Sequence, residues 1–291
     1  MTAPVVTRFA PSPTGRLHPG HGVAALAAYD FAVARGGRFL LRIEDIDGAR
    51  SRTEHVEAIL ADLRWLGIVW DEPVVFQSQR LALYEAALDR LRALGLLYPC
   101  FCTRKEIARE ITESLSAPHI GPDGPVYPGT CRALGQAERD RRIAAEAHCW
   151  RLDMAKAVAM AGELHWTDHG RPVRADPLAY GDVVLARKDA PASYHLAVTL
   201  DDAAQGVTDI VRGEDLFPAT HVHRLLQALL DLPVPRYHHH PLVRDGNGER
   251  LAKRNGAPTL EALRLAGVDG AALAAELRAG RAPLGIFASK A

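Results

Sequence analysis

The sequence predicts an α/β fold: a parallel, doubly wound sheet interrupted by an inserted subdomain and followed by a short helical segment. Three observations predict it. A short apolar run, Val5-Val6, leads into a turn rich in proline and glycine and then into an alanine-rich stretch of helical composition. Strand-like and helix-like segments alternate from there to about Leu94, the rhythm of parallel strands joined by helical crossovers. Between residues 96 and 188 that alternation gives way to cysteines, a Pro/Gly-rich stretch and an Arg/Glu/Ala helix. The expected organisation is therefore 1–95 for the first half of the sheet domain and 96–188 for the insertion. The second half of the sheet domain follows at 189–256, and a C-terminal helical segment at 257–291.

Composition narrows the function classes. With 291 residues, 48% of them hydrophobic, the chain can bury a sizeable core. No run of eighteen or more apolar residues exists, and the N-terminus lacks a basic region followed by an apolar one, so neither a membrane span nor a secretory signal is expected. The cytoplasm is the default compartment, and a monomer the expected state. Lys plus Arg and Asp plus Glu each total 35, so there is no overall positive field and any RNA site must be local.

The first element carries the most chemistry. Arg8-Phe9-Ala10-Pro11-Ser12-Pro13-Thr14-Gly15-Arg16-Leu17-His18-Pro19-Gly20-His21 reads as the end of a strand, a turn, and the start of a helix at about Gly20 that runs to Ala34 and stops at Gly36-Gly37. A helix N-terminus presents N–H groups suited to an anion. His18 and His21 stand at that mouth, where imidazoles can donate to phosphate oxygens without adding fixed charge. Arg38 to Ile43 reads as the next strand, with Glu44-Asp45-Ile46-Asp47 at the edge where open α/β sheets place ligands. Glu44 there is either a ligand for an amino acid's α-ammonium group or part of a solvated acidic loop. Ser51-x-x-Glu54 reads as a capping box opening a helix to about Leu66, and a second amphipathic helix follows from about Arg80 to Leu94.

In the insertion, Cys100 and Cys102 lie on the same side of an extended segment and can grip one ion, with Cys131 closing on them after a helix opened by Thr103-x-x-Glu106. A thiolate-rich set favours zinc. Among the residues alone His119 stands first as fourth ligand, because neutral imidazole is a common one; three inert buried thiols are the plainer alternative. Cys149 reads as a small core residue beside Trp150.

Further on, Gly181 to Arg187 reads as a strand leaving the insertion and Val207 to Leu216 as a second one with an Arg-Gly turn. By itself Tyr194 reads as a half-buried strand aromatic. A helix is expected from about Ala219 to Leu230. His238-His239-His240 cannot converge on one ion from a strand, whose side chains alternate, and is read as structural. Asp245-Gly246-Asn247-Gly248 is a turn signal before Glu249-Arg250-Leu251-Ala252-Lys253-Arg254, and two short helices are expected at Leu260 to Leu265 and Ala271 to Leu277.

These motifs together carry a resemblance. Arg-Phe-Ala-Pro-Ser-Pro-Thr-Gly-x-Leu-His-x-Gly-His at residues 8–21 resembles the first signature of the glutamyl branch of class I aminoacyl-tRNA synthetases, and Arg42-Ile43-Glu44-Asp45-x-Asp47 matches the same family. Residues 250–254 resemble the second class I signature, Lys-Met-Ser-Lys-Ser, with Arg250 in place of the first lysine and Ala252 in place of the serine. The resemblance implies a Rossmann-like catalytic domain and activation of L-glutamate with ATP and Mg2+. It implies that His18, Gly20, His21 and Lys253 handle ATP, with the two histidines and the lysine catalytic. Arg8, Ala10, Ser12, Glu44, Tyr194 and Arg212 would bind glutamate, the two arginines meeting a dianionic amino acid. The likeness is nearest to the truncated glutamyl-Q-type members, which transfer glutamate to the queuosine base in the anticodon of tRNA(Asp). In those a tyrosine four residues before the third cysteine joins the zinc site, which places Tyr127 with Cys100, Cys102 and Cys131. No anticodon-binding domain is expected. Charging of a tRNA 3′ end and a non-catalytic RNA-binding or regulatory role stay open as alternatives.

Overall fold

The computed structural model describes residues 4–113, 120–122, 124–242 and 258–281. The first half of the sheet domain runs β1 (Val6–Phe9), α1 (Pro19–Val33), β2 (Arg38–Ile43), α2 (Thr53–Trp65), β3 (Val75–Phe76) and α3 (Leu81–Ala93). The next stretch contains β4 (Leu97–Cys100), α4 (Arg104–Glu113), β5 (Ile120–Gly121), β6 (Gly124–Pro125), α5 (Gln136–Ala145), β7 (Cys149–Leu152), α6 (Met154–Ala161), β8 (His165–Asp168), β9 (Arg171–Arg174) and β10 (Val184–Ala186). Then come α7 (Tyr194–Ala204), β11 (Asp209–Gly213), α8 (Ala219–Leu229), β12 (Arg236–His240), α9 (Leu260–Leu265) and α10 (Gly270–Arg278). No described helix is long and apolar enough to cross a membrane.

β1 pairs in parallel with β2, and β2 with β3, while β11 pairs in parallel with β12. The two groups adjoin where the Thr208 N–H donates to the Val6 carbonyl at 3.0 Å. The spatial order β3-β2-β1 beside β11-β12 is that of a doubly wound sheet, with the chain leaving β1 in one direction and returning on its other side. Every residue of β1 is buried, as a strand covered on both faces requires.

Part of the segment at 96–188 joins that sheet. β8 pairs in parallel with β12, and β9 returns antiparallel through a two-residue turn, His169-Gly170, both at positive φ (48° and 77°) as a tight hairpin demands. The remaining strands of that segment build a separate antiparallel sheet in the order β10-β7-β4 and a two-stranded one, β5-β6.

Helices α9 and α10 close the core around α1 and α2. Leu260, Leu263, Leu273 and Leu277 are buried with Leu26, Ile59 and Leu66, each leucine contributing about 1.5–3 kcal/mol of burial. At Gly270 any Cβ would stand 2.0 Å from the Trp65 carbonyl oxygen, so only glycine allows α10 to approach α2 this closely. Thr259 and Asp269 cap these helices, accepting from the N–H groups of Ala262 and Ala272.

Several boundaries differ from expectation. The helix expected from Ser51 begins at Thr53, with Arg52 at the cap position and no side-chain capping bond; the Ser51 hydroxyl is buried without a hydrogen-bond partner among the described residues. The Thr103-x-x-Glu106 box does form, with reciprocal bonds of 2.6 and 3.2 Å. Tyr194 opens a helix and is not on a strand, because Ser193 caps α7 by accepting from the Leu196 N–H. The strand expected at Gly181 to Arg187 is confined to Val184–Ala186, after a 3-10 turn at Pro177–Tyr180. The strand expected from Val207 to Leu216 narrows to β11, with a 3-10 turn following at Glu214–Leu216.

Candidate active site

Because β1, β2, β11 and β12 are parallel, their C-terminal ends lie along one edge, and α1 begins there. A cavity of about 550 Å³ opens at this edge, at the switch point between β1 and β11. It is lined by Arg8, Ala10, Ser12, His18, Gly20, His21, Glu44, Tyr194 and Arg212, so nine residues singled out in the sequence share one hollow. Lys253 and the turn at 245–248 lie outside the described residues, as do Arg250 and Ala252.

The two imidazoles first serve the helix. Nδ1 of His18 accepts from the Gly20 N–H at 3.1 Å, and Nδ1 of His21 accepts from the His18 N–H at 3.1 Å, a capping box built from histidines. A ring that accepts at Nδ1 carries its proton at Nε2. The local fold therefore fixes both rings as Nε2–H donors, with centroids 3.8 Å apart. The loop before them is pinned from several sides, by Glu44 N–H to the Pro11 carbonyl (3.0 Å), Arg52 N–H to Pro13 (3.2 Å) and Leu260 N–H to Leu17 (2.8 Å).

Beneath the loop lies a buried charge network that sequence reading missed. Arg8 grips Asp202 with two hydrogen bonds, Nε to Oδ1 at 2.9 Å and Nη2 to Oδ2 at 3.2 Å. Arg42, fully buried, donates to the same Oδ1 at 2.9 Å and stands 3.6 Å from Glu44. Asp201 next door accepts from Gln77 (2.8 Å), Arg80 (2.6 Å) and Tyr84 (2.8 Å). Arg8 thus reaches the cavity already neutralised, which alters the expectation of two arginines awaiting a dianion. Burial opposes ionisation of Asp202, but Arg8 and Arg42 outweigh it and hold its carboxyl below the usual range. Glu44 goes the other way: burial pushes its carboxyl up to about 7, partly offset by Arg42 and Arg8.

Arg212 is placed differently. Its Nη2 donates to the Leu216 carbonyl (3.0 Å) and Thr220 hydroxyl (2.7 Å), its Nε to His239 (3.1 Å), and its Nη1 to the Tyr194 hydroxyl (3.4 Å). It makes no ion pair with a carboxylate among the described residues. Its other neighbours, His195 and His223, are joined by a 3.2 Å bond and kept neutral, burial first and then Arg212 lowering both, His195 to about 4. A cation walled by neutral groups at the rim of a cavity is suited to a ligand carboxylate.

A second centre sits at the end of β4. The sulfurs of Cys100, Cys102 and Cys131 lie within 4.8 Å of one another, with Cys102 and Cys131 3.5 Å apart. Tyr127 Oη is 3.5 Å from Cys100 Sγ and 3.6 Å from Cys102 Sγ, and it accepts from the Cys131 N–H at 2.9 Å. Three thiols and a phenol converging on one point can hold a metal ion. Hydrogen bonding from Cys149, with help from Tyr127 and Arg151, lowers the Cys100 thiol to about 4. Cys149 is buried, as expected, but directly across the strand pair from Cys100. His119 lies outside the described residues. The histidine triplet behaves as its strand dictates: His238 bonds Asp209 on one face and His239 bonds Asp168 on the other.

Such a sheet, signature loop and cavity define a class I synthetase, and the chain belongs to that family: the model for the catalytic domain of class I tRNA synthetases, E and Q type, matches residues 4–278. Among named relatives it is similar to the glutamyl-Q tRNA(Asp) synthetase of Rhodobacter capsulatus, 51% identical over 266 residues, spanning 90% of this chain and 96% of that protein. The protein of the same name from Nocardia farcinica is 50% identical over 255 residues, covering 87% and 77%. Among solved structures, glutamate-tRNA synthetase from Elizabethkingia anophelis superposes with a TM-score of 0.74 at 28% identity, over 87% of this chain and 53% of that one. The chain therefore spans about half the length of that solved protein.

Proposed function

We propose that this protein activates L-glutamate with ATP and transfers it to the queuosine base in the anticodon of tRNA(Asp), a reading supported by its likeness to proteins named glutamyl-Q tRNA(Asp) synthetase. The observation that carries the reading is the single cavity into which the signature loop, Glu44, Tyr194 and Arg212 all open. In the first step a glutamate α-carboxylate oxygen attacks the α-phosphorus of ATP, the bond to the β-phosphate breaks, and pyrophosphate leaves with Mg2+. His18 and His21 donate from Nε2 to the phosphoryl oxygens as charge builds, assisted by the Gly20 end of α1 and by Lys253. Glu44 as carboxylate holds the α-ammonium group and Arg212 with Tyr194 receives the side-chain carboxylate. Arg8, Ala10 and Ser12, which line the same cavity, complete the glutamate pocket. A neutral glutamine would leave the Arg212 cation without a counter-charge, which favours glutamate.

Cys100, Cys102, Tyr127 and Cys131 would hold one Zn2+ in a structural role, their donor set matching a tetrahedral, sulfur-rich site. The metal would fix the turn at 127–131 against β4.

Glutamate-dependent ATP–pyrophosphate exchange, measured without RNA, tests activation. Transfer of labelled glutamate to tRNA(Asp) with and without queuosine tests the acceptor. Exchange with queuosine-dependent transfer is expected; transfer indifferent to queuosine overturns the acceptor assignment, and exchange absent both with and without tRNA overturns the whole reading.

A further inference from the structure

Arg212 on β11 and His239 on β12 are register partners in a parallel pair, so their side chains rise from the same face side by side. Nε of Arg212 donates to Nε2 of His239 at 3.1 Å. The other ring nitrogen, Nδ1, is 2.9 Å from Oδ1 of Asp168, which also accepts the His239 backbone N–H at 3.1 Å. Asp168 is the last residue of β8, and the turn that follows it clamps β12: the His169 N–H donates to the Tyr237 carbonyl and its Nε2 bonds the His239 carbonyl, each at 2.9 Å. Neither Asp168 nor His239 lines the cavity.

We propose that Asp168 and His239 are positioning residues for Arg212: the carboxylate holds the imidazole in its Nδ1–H tautomer, and the Nε2 lone pair so exposed locks the guanidinium with its Nη1 edge towards the cavity. The proposal rests on the reading of Arg212 as the seat of a substrate carboxylate, and it adds a specificity device supplied by the hairpin at 165–174. The opposite tautomer sets the Nε2–H against the Arg212 Nε–H and the bare Nδ1 lone pair against the Asp168 oxygen, and loses both bonds. Water cannot substitute there. His239 is 7% exposed and boxed by the rings of Phe217 (5.1 Å), Trp166 (5.8 Å) and Tyr237 (5.9 Å). Burial, with the Arg212 charge beside it, keeps the ring neutral by lowering it to about 4. Leu216 and Thr220 fix the remaining Nη2 donors, so His239 supplies the contact that sets the rotation of the Nε edge.

Two measurements test this. Side-chain 15N spectra of the labelled intact protein, with the His239 signals assigned by their loss in H239Q, should show the proton on Nδ1 and a bare Nε2. A proton on Nε2 overturns the proposal, whatever the protein's activity. Pyrophosphate exchange should then show D168A and H239L raising the glutamate KM on the order of ten- to a hundredfold with the ATP KM unchanged, the cost of a buried donor left unmatched. D168N, which keeps an oxygen at the same place, and H239Q, which restores an acceptor, should recover most of the loss. An unchanged glutamate KM in H239L, or equal rises for glutamate and ATP, overturns the proposal. A wild-type spectrum as expected in a protein that activates no glutamate overturns the functional reading alone.

Discussion

Asp202 accepts two hydrogen bonds from Arg8, at 2.9 and 3.2 Å, from a helix that begins beside the cavity. The same carboxylate neutralises Arg42, so D202N leaves two buried guanidinium groups with one counter-charge fewer. A loss of about 3–5 kcal/mol is expected, read as a lower urea midpoint at unchanged slope. Because the folded carboxyl lies below its ordinary value, this stabilisation is present above the unfolded range and is lost as pH falls through the folded one.

Glu44 is expected to impose a pH dependence on glutamate use. Its carboxyl sits at about 7 in the free protein, and only the ionised form attracts an ammonium group. The kcat/KM for glutamate should therefore fall as pH is lowered through about 7, whereas E44Q should be poor throughout and lack that limb.

On the proposed reading His18 has two separable tasks, capping α1 and donating to phosphate. Asparagine is a good helix cap but brings no donor to the place of Nε2. H18N should leave stability within about 0.5 kcal/mol of wild type, by thermal and urea unfolding, and slow pyrophosphate exchange about a hundred- to thousandfold.

The thiol corner predicts one zinc per chain in protein purified without chelators. C131S should abolish it, while Y127F should retain three sulfurs and bind zinc on the order of ten- to a hundredfold more weakly. Equal zinc affinity in Y127F would remove the phenol from the ligand set.

Local sequence carried the parts of the site that are themselves local. Residues 8–21 leave β1 and open α1 without a break, and Glu44 directly follows β2, so each reaches the cavity from its own strand end. The charge network was not legible: Asp202 meets Arg8 across 194 positions and Arg42 across 160, and two aspartates at the end of an apolar helix face look solvated until the helix is docked. Tyr194 by itself reads as a strand aromatic, whereas the helix it opens depends on Ser193 accepting from the Leu196 N–H. At Ser51 the error ran the other way, since a capping sequence was present but the helix began two residues later. The alternation of the histidine triplet was legible, with His238 and His239 on opposite faces, but alternation alone does not reveal that His239 meets Arg212.

The docking of α9 and α10 on α1 has a consequence for biogenesis. Leu260, Leu263, Leu273 and Leu277 complete the core that Phe9, Leu17 and Leu26 begin, so the N-terminal half cannot bury its apolar surface when it emerges from the ribosome. A nascent chain that stalls before residue 260 would display that surface to chaperones or to other nascent chains, and the loop at 8–21, tied through Leu17 to Leu260, would set only once residue 260 has been made.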